Sequence, residues 1–217
     1  MEQYINKIIH ADCLDILKQL PDKCIDLVLT DPPYGIGKAK EKNKGSSNLC
    51  RAIEYELKYW DNEIPKKEIF DEIFRVSKNH IIFGGNYFVE YLKNSSCWLV
   101  WDKNNTGVFA DCELAWTNFK SAVRKYKWTW NGMLQEDMKN KDIRIHPTQK
   151  PLKLFEMILN DYSKENDLIL DCFSGSGTTA VACHNLNRRF ICIEKDEDYY
   201  KASVERLENA QAQLKLF

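Results

Sequence analysis

Apolar runs of strand length alternate along the chain with segments in which apolar residues recur at helical spacing. Seven runs are predicted strands: Tyr4–Ile9, Ile25–Thr30, His80–Gly84, Cys97–Trp101, Cys112–Asn118, Asp167–Asp171 and Phe190–Ile193. Strands that alternate with helices are typical of a parallel sheet covered by helices on both faces. The pattern therefore predicts an α/β fold around a seven-stranded, mostly parallel sheet.

The helical segments have clear starts and apolar faces. Pro65 and Pro151 each suit a first helical position, because proline lacks the N–H group that the first turn leaves unpaired. The apolar stripes behind them are Ile69, Phe70, Ile73 and Phe74 in one helix and Leu154, Phe155, Ile158 and Leu159 in the other. Two further helices are predicted over Thr178–Asn187 and Asp196–Leu214.

One pair of predicted strands differs from the others in its connection. Cys97–Trp101 and Cys112–Asn118 are joined by a segment too short for a helical crossover. They are therefore predicted to form an antiparallel hairpin, which we place at one edge of the sheet.

Length and composition indicate one globular domain over residues 1–217. The chain is 44% hydrophobic and 29% charged, and no apolar run approaches the length of a membrane span. The start lacks the basic and apolar regions of a signal peptide, so we expect a cytoplasmic protein without a membrane partner. The eight cysteines are scattered singly, which favours buried, reduced thiols over a disulfide framework or a zinc site.

The net charge of −1 conceals two basic segments. Residues 36–63 have the composition of a mobile basic loop, and residues 120–145 interleave Lys and Arg with Trp and Tyr. From Ala115 to Phe155 the chain carries nine Lys or Arg and three acids. Such a mixture suits phosphate contact and base stacking, although a charged run is more often a solvated surface. We interpret residues 120–145 as a small target-recognition insert.

An acidic turn, Asp31-Pro32-Pro33-Tyr34, follows the predicted strand Ile25–Thr30. It therefore lies at a strand's carboxyl end, where open α/β sheets bind ligands. The two prolines impose an extended backbone without N–H donors, so the Asp31 carboxylate and a nearby carbonyl point the same way. Two acceptors aimed at one point suit an amine with two N–H bonds, and Tyr34 suits stacking on a base. The alternative is a plain Pro-Pro turn with Asp31 as a helix cap.

A glycine-rich turn, Cys172-Phe173-Ser174-Gly175-Ser176-Gly177, follows the predicted strand Asp167–Asp171. Its glycines allow the backbone close to a ligand, and the helix start behind it offers free N–H groups to a carboxylate. No GK[ST] follows, so this is not a P-loop, and the lone GxG falls short of a dinucleotide fingerprint. Glu194, at the end of the next strand, can take both hydroxyls of a ribose. The combination predicts a nucleoside cofactor.

Three motifs together resemble the S-adenosylmethionine-dependent amino-methyltransferases of DNA. They are the Asp-Pro-Pro-Tyr turn at 31–34, the His-Pro-Thr-Gln-Lys-Pro segment at 146–151 and the Phe-Ser-Gly-Ser-Gly loop at 173–177. Their order, with the catalytic turn first and the cofactor loop last, resembles the beta group, in which the fold is circularly permuted. The resemblance runs from about Ile5 to Leu207. It implies a Rossmann-like methyltransferase fold in which strands Ile25–Thr30 and Asp167–Asp171 are neighbours.

The resemblance also implies roles for individual residues. Asp31 and the Pro32 carbonyl would hold the target amine, with Pro33 completing the turn and Tyr34 stacking on the base. Asp12 and Cys13 would contact the cofactor's adenine. The full implied cofactor set is Asp12, Cys13, Asp31, His146, Thr148, Gln149, Lys150, Asp171, Phe173, Ser174, Gly175, Ser176, Gly177, Thr178 and Glu194.

Within that set, Asp171 would lie near the amino group of the methionine part, Glu194 would bind the ribose, and residues 148–150 would lie by the carboxylate. His146 is placed near the site without a catalytic role, because a histidine before proline commonly bonds to the backbone.

The implied activity is methyl transfer from S-adenosylmethionine to the N6 amine of an adenine flipped out of double-stranded DNA. S-adenosylhomocysteine would be the product, and no metal is required. A homodimer would help so small a recognition region to cover a DNA site, and a cognate restriction enzyme is a further hypothesis. The alternatives are an N4-cytosine enzyme, a catalytically silent cofactor-binding subunit, and an RNA or protein amine methyltransferase. In the family, DPPY favours adenine and SPPY favours cytosine.

Overall fold

The computed structural model describes residues 1–37, 61–105, 110–131 and 134–213. Its strands are β1 (Lys7–His10), β2 (Ile25–Thr30), β3 (Ser77–Phe83), β4 (Trp98–Asp102), β5 (Cys112–Thr117), β6 (Arg124–Lys127), β7 (Trp130–Asn131), β8 (Leu134–Gln135), β9 (Leu168–Asp171) and β10 (Arg189–Glu194). Its α-helices are α1 (Cys13–Leu17), α2 (Lys67–Val76), α3 (Leu152–Tyr162), α4 (Thr178–Asn185) and α5 (Glu197–Gln213).

One mixed sheet organises these elements, with the strand order β1-β10-β9-β2-β3-β5-β4-β6. Every neighbouring pair in it is parallel except those that involve β5, which runs antiparallel to both β3 and β4. The predicted antiparallel hairpin is therefore confirmed as β4 and β5. The short strands β7 and β8 pair separately with each other.

Helices cover both faces of the sheet, as the alternation of elements predicts. Along β9, Ile169 faces a core cluster that includes α3, α4 and α5, whereas Leu170 faces a second cluster with α1 and α2. The same alternation holds in β10 for Cys192 and Ile191. Side chains along a strand point alternately to its two faces, so these central strands are apolar on both.

The number of strands predicted from sequence is wrong, because the main sheet has eight strands among the described residues rather than seven. The eighth is β6, which pairs in parallel with β4 from Leu99 and Arg124 onward. It lies within the segment interpreted as an insert, and it leaves the hairpin one strand inside the sheet edge. Of its four residues only Tyr126 is buried. A polar edge strand of this kind gives no apolar run to detect.

Several predicted boundaries also shift, for reasons visible in the backbone. Residues 2–4 form a 3₁₀ turn, and Asn6 has a positive φ of 59°, which ends that turn and delays the first strand to Lys7. The helix predicted over Thr178–Asn187 ends at Asn185, since Asn187 is left-handed with φ 56°. The predicted basic loop at 36–63 lies mostly in 38–60, outside the described residues.

Strands β2 and β9 are neighbours, as predicted. Leu27 lies opposite Ile169, and Val28 lies opposite Leu170. Thr30 and Asp171, the residues before the acidic turn and the glycine loop, are 141 residues apart in sequence. The two motifs therefore follow adjacent strands at the same edge of the sheet.

The described cysteines form no disulfide, and five of the seven are buried. Cys50 lies outside the described residues. Over the same part of the chain, no helix is long and apolar enough to cross a membrane.

Candidate active site

A cavity of about 520 Å³ opens at the carboxyl ends of the central parallel strands. All but three of the predicted site residues line it. Those that do are Asp12, Cys13, Asp31, Pro33, His146, Thr148, Gln149, Lys150, Asp171, Phe173, Ser174, Gly175, Ser176, Thr178 and Glu194. The tertiary structure thus brings together segments from both ends and the middle of the chain. Pro32, Tyr34 and Gly177 are not among the lining residues.

The glycine loop forms a tight turn between β9 and α4. Gly175 and Gly177 have positive φ values of 50° and 72°, and Gly177 is the residue that precedes the first turn of α4. A Cβ atom on Gly177 would lie 3.0 Å from the Cβ atom of Ser203 on α5. The absence of a side chain at Gly177 therefore serves the packing of α5, whereas Gly175 belongs to the cavity wall.

Asp171 closes the floor of the cavity at the end of β9. Its carboxylate accepts hydrogen bonds from the hydroxyls of Thr30 (2.7 Å) and Thr179 (2.5 Å) and from the Phe173 N–H (3.1 Å). Burial raises the pKa of Asp171 to about 6, against the opposing effect of these three donors. The side chain thus ties β2, α4 and the glycine loop together.

Glu194 connects the glycine loop to the end of β10. One of its oxygens accepts the Gly175 N–H at 2.7 Å, and the other accepts the Asp196 N–H at 2.7 Å. Burial raises the pKa of this carboxyl group. The acid and the loop predicted to bind a nucleoside are therefore in direct contact.

Asp12 lies on the opposite wall at the start of α1. Its side chain accepts the Leu14 N–H at 3.0 Å and therefore caps the helix. Lys195 forms an ion pair with it, with 2.9 Å between Nζ and Oδ2, and this bond lowers the pKa of Asp12. Lys195 also lines the cavity, and no sequence motif indicated it.

Asp31 is held by two side chains, one from the acidic turn itself and one from the segment at 146–151. The Tyr34 hydroxyl donates to Oδ1 at 2.6 Å, and the Lys150 ammonium donates to Oδ2. Burial raises the pKa of Asp31, while Lys150 acts in the opposite direction. The resemblance implies that Lys150 lies by a cofactor carboxylate, and in the structure its ammonium binds the Asp31 carboxylate of the acidic turn.

Glu113 on β5 is the second partner of Lys150, with 3.1 Å between Oε2 and Nζ. Its other oxygen pairs with Lys103, which follows β4. Burial alone would raise the pKa of Glu113, but the two ammonium groups outweigh it and lower that pKa. Sequence reasoning missed both residues. The available signal was an acid within the otherwise apolar run at 112–116.

The position of Tyr34 is fixed by contacts to its ring and to its backbone. It stacks on Tyr87 with 4.7 Å between centroids and an interplanar angle of 13°. A Cβ atom on Gly84 would lie 2.1 Å from the Tyr34 ring, so only glycine leaves room for it. Asp61, which is buried, accepts the backbone N–H groups of Tyr34 and Gly35. This carboxylate, also missed from sequence, holds the turn in shape.

Hydrogen bonds to residues nearby in sequence hold His146 and Gln149 in the segment at 146–150. The His146 Nδ1 accepts the Thr148 N–H at 3.3 Å, and its ring lies edge-on to Tyr199. The Gln149 side chain accepts the Ile145 N–H and donates to the Ile143 carbonyl, both at 3.0 Å. His146 lines the cavity, and its lack of a catalytic role stays a prediction. Across the described ranges, no three His, Cys, Asp or Glu side chains are grouped as a metal site requires.

The chain is similar to several known methyltransferases. The Type II methyltransferase M.HpaI of Haemophilus parainfluenzae is 27% identical, over 94% of this chain and 74% of its own length. M.HinfI of Haemophilus influenzae is 25% identical, over 95% and 69%. Among solved structures, the M1.HpyAVI–SAM complex matches with a TM-score of 0.57 at 27% identity, covering 93% of this chain and 98% of that one.

A further solved structure shares the fold at low identity. PvuII DNA methyltransferase, described as cytosine-N4-specific, matches with a TM-score of 0.59 at 17% identity, over 95% of this chain and 91% of its own. A family model for N6 and N4 methyltransferases, described as DNA methylase, matches residues 52–205. Because that match extends over more than half of the chain, this protein belongs to the DNA methylase family.

Proposed function

We propose that this protein transfers the methyl group of S-adenosylmethionine to the exocyclic N6 amine of an adenine flipped out of double-stranded DNA. The observation that carries the proposal is the meeting of Asp31 and the glycine loop in one cavity, from adjacent strands β2 and β9. Cofactor and target amine can therefore meet at one sheet edge. The order of the two motifs supports a circularly permuted arrangement of the kind found in the beta group.

The chemistry of the cavity wall fits this cofactor. Its lining carries six carboxylates, from Asp12, Asp31, Glu63, Asp171, Glu194 and Asp196, against the ammonium groups of Lys150 and Lys195. An acidic surround suits a ligand whose sulfonium and amino groups are positive. Apolar side chains such as Ile69 and Phe155 complete the wall, and a volume of about 520 Å³ is that of a small-molecule site. The M1.HpyAVI structure named above is a complex with SAM.

Within this cavity we assign the cofactor contacts as follows. Glu194 would take the ribose hydroxyls, and Asp12 would accept from the adenine amine. Asp171 would lie by the amino group of the methionine part, and Gly175 allows the loop backbone to approach it. The observed hydrogen bonds hold each of these carboxylates in place, which favours positioning without rearrangement.

The target amine is assigned to the acidic turn. Asp31 and the Pro32 carbonyl would accept its two N–H bonds, which draws the nitrogen lone pair out of the base plane. The bond from the Tyr34 hydroxyl to Asp31 orients that ring for contact with the base. When bound, S-adenosylmethionine supplies a methyl group already activated by a positive sulfonium, so the protein contributes mainly position and exclusion of water. In this arrangement Asp31 would accept the proton that the amine loses or would polarise the amine.

Adenine and cytosine both present an exocyclic amine that the same acceptors could bind. We propose adenine because the turn is DPPY. The cytosine-N4 enzyme named above shares the fold, so the fold alone carries no preference. The basic strand β6 and the segment up to Arg144 supply cations for the DNA backbone. A homodimer and a cognate restriction enzyme are further hypotheses that rest on the resemblance.

The deciding experiment is incubation with methyl-labelled cofactor and DNA of mixed sequence, followed by mass spectrometry of the nucleosides. We expect N6-methyladenine. N4-methylcytosine would contradict the base assignment and retain the reaction. Cofactor binding without any transfer would instead favour the silent subunit. Transfer to RNA or protein in preference to DNA would contradict the substrate class.

A further inference from the structure

Lys150 lies between two carboxylates at the edge of the cavity. Its ammonium donates to Asp31 Oδ2 and lies 3.1 Å from Glu113 Oε2. Only 4% of its side chain is exposed, compared with 17% for Asp31 and 21% for Glu113. Burial would lower the pKa of Lys150, but the two carboxylates outweigh it and raise that pKa. The lysine is therefore a charged group that donates a hydrogen bond to Asp31 and forms an ion pair with Glu113.

The hydrogen bonds to Asp31 affect how a target amine can bind there. Asp31 already accepts one bond from Tyr34 and one from Lys150, so both of its oxygens are engaged. Each carboxylate oxygen can accept a second hydrogen bond, so an amine that donates to Asp31 would share the negative charge of this carboxylate with the Lys150 ammonium and compete with it. A buried ammonium that loses its partner is strongly unfavourable, which would oppose base binding. The carboxylate of Glu113 lies beside Lys150 and would keep its ammonium paired, so the free-energy cost of an unpaired buried charge would not arise.

We infer that Glu113 is a positioning residue, which keeps the Lys150 ammonium paired while the target amine occupies Asp31. The inference rests on the proposed function and assigns Glu113 no contact with the base or the cofactor. Glu113 acts through Lys150, and Lys150 acts on Asp31.

The neighbours of the pair support this assignment. Lys103 binds the other oxygen of Glu113, so the carboxylate stays charged whether or not Lys150 moves toward it. The groups that face Lys150 are the carboxylates of Asp31 and Glu113 and the rings of Tyr34 and Phe83, at 5.7 Å and 5.4 Å from Nζ. Ring faces attract an ammonium, so the lysine has a favourable environment at this point between the two acids.

The kinetic test compares Glu113→Gln with the double variant Glu113→Gln/Lys150→Met. At saturating cofactor, we expect Glu113→Gln to lower kcat/KM for DNA by about 10- to 100-fold, the usual effect of removing one charged hydrogen-bond partner. Cofactor affinity, measured by calorimetry, should stay within about twofold, since the removed partner is not in the cofactor set. The double variant should recover activity relative to Glu113→Gln, because no ammonium then remains beside Asp31.

The matched control is Glu68→Gln, which removes an exposed ion pair with Lys18 and should leave transfer unchanged. Glu113→Asp retains a carboxylate and should lose less than Glu113→Gln. A wild-type kcat/KM in Glu113→Gln, or a double variant no better than the single one, would overturn the inference. Absence of DNA methylation by the wild-type protein would instead overturn the proposed function itself.

A second readout needs neither cofactor nor DNA. NMR titration of ¹⁵N-labelled lysine in Asp31→Asn should show Lys150 still protonated through neutral pH, because Glu113 remains beside it. Adding Glu113→Gln should lower the Lys150 midpoint clearly. Equal midpoints in the two variants would contradict the inference. If Asp31→Asn/Glu113→Gln does not fold, the Lys150 midpoint is compared between Glu113→Gln and wild type, and we expect it to be lower in the variant.

Discussion

Thr30 and Asp171 join the two halves of the site directly, with a hydrogen bond of 2.7 Å between Thr30 Oγ1 and Asp171 Oδ1. Both side chains are buried, and each is the last residue of its strand. The residue after Thr30 is the proposed catalytic acid, and the residues after Asp171 form the glycine loop. One hydrogen bond therefore links the spacing of the two motifs to the register of β2 and β9.

Removal of this hydrogen bond should lower both the stability of the protein and its affinity for the cofactor. Thr30→Val leaves a buried carboxylate oxygen short of a donor, which we expect to cost about 1–3 kcal/mol in the free energy of unfolding. Urea denaturation measures this loss, and calorimetry should show weaker cofactor binding. Thr30→Ser retains the hydroxyl and is the control. A Thr30→Val protein as stable as wild type would show that the bond contributes nothing.

Asp31→Ala should abolish transfer while leaving cofactor binding nearly intact. The carboxylate is assigned to the amine, and we expect a loss of at least about 100-fold in single-turnover rate, typical of a missing acid–base group. Calorimetry with the cofactor measures the second part of the prediction. Equal losses of transfer and cofactor affinity would contradict the division of roles between the turn and the loop.

Gly84→Ala should displace Tyr34. The new Cβ atom would lie 2.1 Å from the ring, and Gly84 also has a positive φ of 68°. We expect slower transfer and lower stability. Gly37→Ala is a matched control, because its φ is 70° and no atom of the described residues lies within 4 Å of the added Cβ atom. The control should show only the backbone cost, about 1–2 kcal/mol. Equal losses in the two variants would indicate that Tyr34 has room to adapt.

Asp171 should make the stability of the protein depend on pH between about 4 and 6. Burial raises its pKa in the folded state to about 6, above the usual value of about 3.9 for an aspartate. The folded state therefore favours the protonated form, so the contribution of Asp171 is present below pH 4 and is lost as the pH rises through 6. Asp171→Asn should flatten this part of the curve, measured by urea denaturation from pH 4 to 8. An unchanged slope would contradict the raised pKa.

The local part of the site could be predicted because its signals are local. A strand followed by a turn places the turn at a sheet edge, and this holds for Asp31 after β2 and for the loop after β9. The alternation of apolar residues similarly predicted two helical layers. These features depend on neighbours in sequence, where side-chain period and backbone preference are decisive.

The environment of each charge required the tertiary structure. Lys150 lies 119 residues from Asp31 along the chain, yet its ammonium is bound to that carboxylate. Glu113 reaches the same point only because β5 runs antiparallel and begins at the edge where the parallel strands end. β6 also escaped prediction, since it is an edge strand with one buried residue.

The sequence by itself determined which chemical groups follow which strands, and hence the class of reaction that the site supports. The tertiary structure decided how those groups pair, and which glycine faces a cavity and which packs against a helix. The physical reason is that backbone preferences are local, whereas the pKa and the partner of a buried charge depend on atoms from several distant segments brought within a few ångströms.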